Sequence, residues 1–213
     1  ANNLSECIYQ AEDWPNSISL QWSWGENIFA YAIAEIENKV HEKNILDLLE
    51  KLPFLTNRRI KKIYSMKDLP NFSKTKKPTK NIKHSEVLGL LGPAWQRNGF
   101  KVINKIQKLI NNRPDNSCYI AAQQLGGEVN NSKNIQTSFI HRDAIWKPWI
   151  NGGWDAGDTK ARERSLIWMR ECWSDLEFIC PGVHLAQIHP HLPWHQKEIS
   201  YAFKDWLPKL KNI

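Results

Sequence analysis

The sequence predicts an α+β fold, with a large antiparallel β-sheet covered on one face by helices. Several segments alternate apolar and polar residues with a period of two, which is typical of half-buried strands. Two longer segments, near 93–111 and 159–178, repeat apolar residues at helical spacing. The predicted order is roughly ββα, ββ, αββα, βα. Hairpins interspersed with helices favour helices that lie together on one face of an antiparallel sheet.

The first half begins with a predicted hairpin. SISLQWSWG (17–25) and IFAYAIAEI (28–36) both alternate, and Gly-Glu-Asn between them is a turn signal. NILDLLEKL then has apolar residues at helical spacing, and Pro53 ends it. RRIKKIYSM is expected to be an edge strand protected by its lysines, and HSEVLGLLG is expected to be another strand.

The second half begins with a predicted helix from about Pro93 to Asn111, whose apolar stripe comprises Phe100, Ile103, Ile106 and Ile110. CYIAAQQLGGEV and TSFIHRDAIWKPWI predict two strands. A helix over about 159–178 follows, with Asp158 or Thr159 as N-cap. GVHLAQIHP predicts the last strand, and SYAFKDWLPKLKNI predicts a final helix interrupted by Pro208.

Composition excludes several classes of function. The net charge is +7, but residues 58–83 alone carry ten basic side chains and one acid, which is a charge of +9. The rest of the chain therefore carries about −2, so a basic surface over the whole protein that would bind nucleic acid is not supported. Within that stretch, NFSKTKKPTKNIK (71–83) is expected to be a solvated loop, and phosphate binding by the basic stretch is the alternative. No apolar run is long enough to span a bilayer, and the first residues lack a signal-peptide pattern. The four cysteines lack CxxC pairing and are expected to be buried thiols.

The most unusual stretch is GVHLAQIHPHLPWH (182–195), which holds four of the seven histidines: His184, His189, His191 and His195. The chain has no GxGxxG, P-loop, GxSxG or HExxH motif. The histidine spacing matches no standard zinc site. Three interpretations remain open: a metal site, a cleft histidine that transfers protons near neutral pH, or structural histidines.

Several strings, taken in order, resemble a known family. QQLGGEV, TSFIHRDAIW, IWMRECWSDL, PGVHLAQIHP and YAFKDWLPKLKNI resemble the C-terminal half of FAD-linked oxidases of the berberine bridge enzyme type. The similarity covers about residues 85–213, and residues 17–55 fit more loosely. It implies that residues 1–213 form a substrate-binding domain whose sheet lies over the flavin ring.

The resemblance also implies what the chain works with. The expected cofactor is FAD, held mainly by an FAD-binding half that this chain lacks, and that half is the expected partner together with a small-molecule substrate. The implied function is oxidation of a small alcohol, sugar or related metabolite by hydride transfer to flavin. The alternatives are a non-catalytic binding module derived from the fold and a metal-binding domain built on the histidine cluster.

Site residues are carried over from the family's strings. The family's YVNY corresponds here to HLAQ, so His184 and Gln187 replace two tyrosines. The expected catalytic-site residues are His184, Gln187 and His189, although glutamine cannot act as a base. His141 and Arg142 match the family's HR and are expected to bind substrate together with Trp146. The aromatic residues expected to line the cleft are Trp146, Trp149, Trp154 and, less directly, Trp22 and Trp24.

Overall fold

The computed structural model describes residues 1–53, 83–126 and 139–211. Its sheet has six strands, which are β1 (Ile18–Trp24), β2 (Ile28–Ala34), β3 (Lys83–Leu91), β4 (Tyr119–Gln124), β5 (Trp146–Asp155) and β6 (Gly182–Val183). The spatial order is β2-β1-β4-β5-β3-β6, and every pairing is antiparallel. The predicted α+β class is confirmed.

Six helices accompany the sheet within the described residues. They are α1 (Asn2–Ala11), α2 (Lys39–Glu50), α3 (Gly99–Asn111), α4 (Thr159–Leu176), α5 (His195–Phe203) and α6 (Leu207–Leu210), and short 3₁₀ turns precede α3, α5 and α6. As the sequence indicated, the Asp158 side chain caps α4 by accepting from the Ala161 N–H. Within the described residues, no helix is both long and apolar enough to span a membrane.

Alternation along the strands gives the sheet two different faces. On one face, which we call the helix side, apolar strand residues pack with α1, α3 and α4 into one core. Ile150 of β5 and its partners Ile120 of β4 and Leu88 of β3 are fully buried there. We call the opposite surface the open face, and no described helix packs on it. It bears the alternate residues of the same strands.

Two predicted strands are wrong in part. In the described part of TSFIHRDAIWKPWI, from Phe139 onward, the strand starts only at Trp146, because the Ala144 N–H bonds to the His141 carbonyl and closes a turn. In GVHLAQIHP only Gly182 and Val183 form strand β6, and a 3₁₀ turn follows at Leu185–Gln187. Side chains in these segments therefore do not alternate as a strand would place them.

The helices are also corrected in detail. The sequence reading missed α1 and started α3 too early, and the Phe100 ring of α3 is exposed while Val102 and Leu109 join the core. The final helix breaks at Lys204, whose φ is 43°, and not at Pro208, which lies in the first turn of α6. The predicted edge strand RRIKKIYSM and most of the basic stretch 58–83 lie outside the described residues.

Candidate functional site on the open face

His184 and Gln187 lie together on the open face. The His184 N–H bonds to the Gly89 carbonyl at 2.9 Å and continues the β3–β6 register by one residue. The 3₁₀ turn, with three residues per turn, then brings Gln187 back over the same strand. A Cβ on Gly89 would lie 1.9 Å from Gln187 Oε1 and 3.2 Å from His184 Cβ, so only glycine leaves room for both.

Both side chains carry buried polar atoms that lack a partner. His184 Nδ1 and Gln187 Oε1 are shielded from solvent and make no hydrogen bond within the described part of the chain. Burial, and secondarily the charge of Lys147, lowers the pKa of His184 below its ordinary value of 6.5. The imidazole is therefore neutral at physiological pH, with one nitrogen available as a hydrogen-bond acceptor.

Lys147 and Trp149 of β5 also lie on the open face. Lys147 Nζ lies 6.0 Å from the centroid of the Trp149 ring. Burial alone lowers the pKa of Lys147, and no carboxylate among residues 1–53, 83–126 and 139–211 forms an ion pair with it. Sequence reasoning missed Lys147, although a lone lysine inside the apolar string IWKPWI was the available signal.

The structure places His189 on the other side of the sheet. Glu86 pairs with Gly152, whose missing Cβ would face Met169 of α4, so Glu86 projects toward the helix side. His189 Nε2 lies 3.4 Å from Glu86 Oε2, and His189 Nδ1 lies 2.6 Å from Glu198 Oε1. This arrangement supports a structural role for His189, because its ring is held between two carboxylates away from the open face.

We call the group of His189, His191, Glu86, Trp194 and Glu198 the clasp. Glu198 is 0% exposed and accepts from the His189 N–H at 2.8 Å, from its ring and from Trp194 Nε1 at 3.1 Å. His191 Nε2 lies 2.8 Å from Glu86 Oε1. The clasp joins the start of α5 to β3.

The four histidines of 182–195 do not form one ligand set. His184 lies on the open face, whereas His189 and His191 contact Glu86 on the helix side and His195 lies 3.6 Å from Glu198. In the described part of the chain, no group of three or more His, Cys, Asp or Glu side chains is arranged to hold a metal ion. The geometry therefore does not support the metal-binding alternative.

His141 is buried between β6 and α5. Its Nε2 lies 2.9 Å from the Tyr201 carbonyl, which can only accept, and a Cβ on Gly182 would lie 2.6 Å from the ring. Burial is the largest influence on its pKa and lowers it. These contacts support a structural link between the 139–145 turn and the C-terminal helix. The neighbouring Arg142 guanidinium lies 5.7 Å from the Phe139 ring centroid.

Of the tryptophans expected to line a cleft, only Trp149 projects to the open face. Trp146 is 0% exposed, packs 5.4 Å from the Trp95 ring and donates from Nε1 to Glu12. Trp22, Trp24 and Trp154 are also buried on the helix side. The geometry thus supports a core role for Trp146, where the sequence had indicated substrate contact. The cysteines are all buried and free, and burial raises the pKa of Cys7 and Cys180 to about 12, so these two thiols are poor nucleophiles.

Comparison with known proteins rests on structure. No protein-family model and no curated protein sequence matches the chain. Solved structures do match it. They include wild-type berberine bridge enzyme-like 1 of Physcomitrella patens (TM-score 0.73, 16% identity), berberine bridge enzyme-like #28 of Arabidopsis thaliana (0.74, 12%) and berberine bridge enzyme of Eschscholzia californica (0.66, 13%).

The chain has the fold of one half of a berberine bridge enzyme. The three alignments cover 98%, 98% and 99% of this chain but only 46%, 49% and 48% of those chains, so it spans about half their length. The resemblance stated from the sequence is confirmed at the level of the fold. At these identities the match does not assign site residues, which rest on the geometry above.

Proposed function

We propose that this chain is the substrate-binding part of an FAD-dependent oxidoreductase, and that the open face covers the flavin and binds the substrate. The observation that carries the proposal is the pair of buried, unpartnered polar atoms, His184 Nδ1 and Gln187 Oε1, on a face with no described helix. Buried polar atoms normally have partners. A ligand or the flavin-bearing half would supply them here.

His184 is the proposed general base. FAD would supply the hydride acceptor, and a residue of this chain would have to remove the proton of the hydroxyl or amine on the carbon that is oxidised. A neutral imidazole accepts that proton, and the depressed pKa of His184 keeps it neutral. Lys147 lies close enough to lower that pKa, and its positive charge also stabilises negative charge that develops on the substrate oxygen.

Gln187 is the proposed positioning residue. Its side-chain oxygen has no described partner, so it is available to accept a hydrogen bond from a substrate hydroxyl next to His184. Since an amide cannot remove a proton at neutral pH, Gln187 fixes orientation and His184 carries out proton transfer. This division replaces the two tyrosines that the family's YVNY string has at these positions.

The test uses the natural gene product that contains this chain. The purified protein is expected to carry flavin absorbance, and anaerobic mixing with a panel of sugars, primary alcohols and aromatic alcohols is expected to bleach it with at least one of them. His184→Gln should slow bleaching, whereas the matched control His191→Gln should not, because His191 lies on the helix side. A gene product without flavin would contradict the proposal and favour the non-catalytic binding module.

A further inference from the structure

We propose that β2 is a self-pairing edge strand, through which two copies of this chain join their sheets into one continuous antiparallel sheet. β2 lies at one end of the strand order, and β1 is its only partner among the described strands. His184 lies at the opposite end, five strand spacings or about 24 Å away. The proposal therefore goes beyond the proposed function and does not depend on it.

The outer edge of β2 presents a row of backbone groups that no described strand bonds. At the start of the hairpin the Glu35 N–H bonds to the Ser17 carbonyl. At its turn the Gly25 N–H bonds to the Asn27 carbonyl. Bonds in an antiparallel pair alternate along the strand, so the odd-numbered residues of β2 bond to β1. The residues whose N–H and C=O groups point outward are therefore Ile28, Ala30, Ala32 and Ala34.

β2 also lacks the features that protect an edge strand. Natural edge strands avoid pairing by charged side chains, prolines, bulges or short length. The seven residues of β2, IFAYAIA, carry no charge and no proline, and they pair with β1 without a bulge. β6, at the opposite edge, is only two residues long. Phe29, Tyr31 and Ile33 of β2 project to the open face and are 65%, 55% and 48% exposed, so β2 offers an apolar pairing surface.

The sequence of β2 is self-complementary about Tyr31. When an antiparallel second copy places its own Tyr31 opposite this one, β2 pairs with itself over all seven residues. Ala30 then lies opposite Ala32 of the second copy, so outward-facing backbone groups meet outward-facing groups and bond. On the open face Phe29 lies opposite Ile33 of the second copy, and aromatic–β-branched pairs of this kind stabilise antiparallel strands.

The residues that flank β2 select the same register. With Tyr31 on the two-fold axis, Glu35 lies opposite Asn27 of the second copy, and no two carboxylates are directly opposed. A shift of two residues in one direction places Glu35 opposite Phe29, and a shift in the other direction places Asn27 opposite Ile33. Both shifts set a polar side chain against an apolar one, so the register about Tyr31 is favoured.

The expected dimer is reversible. Each copy contributes one strand, so the interface belongs to the smallest class, below about 1,200 Å² of total buried area. Backbone hydrogen bonds replace bonds to water and contribute modestly, while association costs translational and rotational freedom. We therefore expect a dissociation constant in the micromolar range. A two-fold axis perpendicular to the sheet leaves both open faces on the same side, with each His184 at an outer end.

Cysteine cross-linking of the natural gene product that contains this chain tests the register. Tyr31→Cys places two thiols opposite each other at a Cα separation of about 4.5 Å, which a disulfide can span. The matched control is Phe29→Cys, whose thiol lies four residues from its equivalent in the second copy, about 13 Å away. A mild oxidant should cross-link Tyr31→Cys at least about tenfold faster than Phe29→Cys. Wild type, whose cysteines in this chain are all buried, gives the background.

Sedimentation velocity of the same gene product tests the dimer without cross-linking. Wild type should pass from monomer to dimer between about 1 and 100 μM. Tyr31→Lys and Tyr31→Glu each place two like charges on the two-fold axis and should weaken association at least about tenfold. An equal mixture of these two variants opposes lysine to glutamate and should associate again. The control Val40→Lys, at an exposed apolar residue outside β2, should sediment like wild type.

The proposal is overturned if wild type stays monomeric through about 100 μM, which would mean that β2 is covered within one gene product or left unpaired. It is also overturned if Phe29→Cys cross-links as fast as Tyr31→Cys, or if the mixture associates no more strongly than either charged variant alone. Because these measurements require neither substrate nor turnover, loss of the dimer and loss of the proposed oxidase function are distinguishable.

Discussion

His184 and His189 are five residues apart, but they lie on opposite faces of the sheet and differ in their hydrogen-bond partners. His189 lies in the clasp, where its ring and its backbone N–H both bond to the buried Glu198. His184 lies on the open face, where its Nδ1 is shielded and unpartnered within the described part of the chain. A satisfied polar network holds a fold together, whereas an unsatisfied one is available to a ligand.

The cause of the difference is one short turn. After β6 the chain enters the 3₁₀ turn Leu185–Gln187, which keeps His184 and Gln187 over Gly89. At Ile188 the backbone is extended again, and the chain passes to the helix side, where the His189 ring contacts Glu86 and Glu198. The following predictions separate the two regions, from the largest expected effect to the smallest.

Removing the buried carboxylate of the clasp should cost the most stability. Glu198→Ala leaves the His189 and Trp194 donors buried without an acceptor, so the free energy of unfolding should fall by about 3–5 kcal/mol. Urea denaturation followed by circular dichroism measures this. The control Glu163→Ala, at an exposed position on α4, should change it by less than about 0.5 kcal/mol. Equal losses in the two variants would show that the clasp does not stabilise the fold.

Replacing His184 on the open face should lower the rate of flavin reduction and leave the free energy of unfolding nearly unchanged. In the flavin-containing gene product, His184→Gln should slow flavin reduction about 100-fold, since general bases contribute at least that much. Stopped-flow absorbance measures the rate, and urea denaturation should show an unfolding free energy within about 1 kcal/mol of wild type. If His184→Gln kept the full rate of flavin reduction and lost much of its stability, His184 would have a structural role and the assignment of proton transfer to it would be wrong.

Adding a methyl group at Gly89, beneath His184 and Gln187, should lower catalytic activity more than stability. Gly89→Ala places a methyl group against the Gln187 amide, which can move aside, so the unfolding free energy should fall by only about 1 kcal/mol. The moved amide no longer orients substrate, and kcat/KM should fall about tenfold. The matched change Gly157→Ala, in open space at positive φ, should affect stability alone. Similar losses of kcat/KM in both variants would contradict the assignment of Gln187.

The smallest expected effect is a shift in the pKa of His184 when the charge of Lys147 is removed. Lys147⁺ disfavours protonation of His184, so Lys147→Met should raise the pKa of His184 toward its ordinary value. In the flavin-containing gene product, the acidic limb of the kcat/KM profile should move to higher pH by the same amount, because only the neutral imidazole accepts a proton. NMR titration of the His184 ring protons measures the shift directly. A pKa unchanged or lowered by the substitution would show that Lys147 does not act on His184.

Much of the fold could be predicted from residue patterns because the patterns are local. Alternation in SISLQWSWG and IFAYAIAEI gave the hairpin, and helical spacing gave the two long helices. The failures occurred where local pattern and tertiary contact compete. FIHRDAI alternates like a strand, but the buried His141 ring and its bond to the Tyr201 carbonyl hold a turn there.

The sequence by itself determined the α+β class, the antiparallel strands and the resemblance to the berberine bridge enzyme type, since these depend on periodicity and on the order of short strings. Only the tertiary structure decided which histidine faces the open side, that Lys147 lies near enough to lower its pKa, and that Trp149 projects to that side while Trp146 is buried. The reason is register. A single strand tells which residues share a face, but the partner strands and the turn after β6 decide which face is covered.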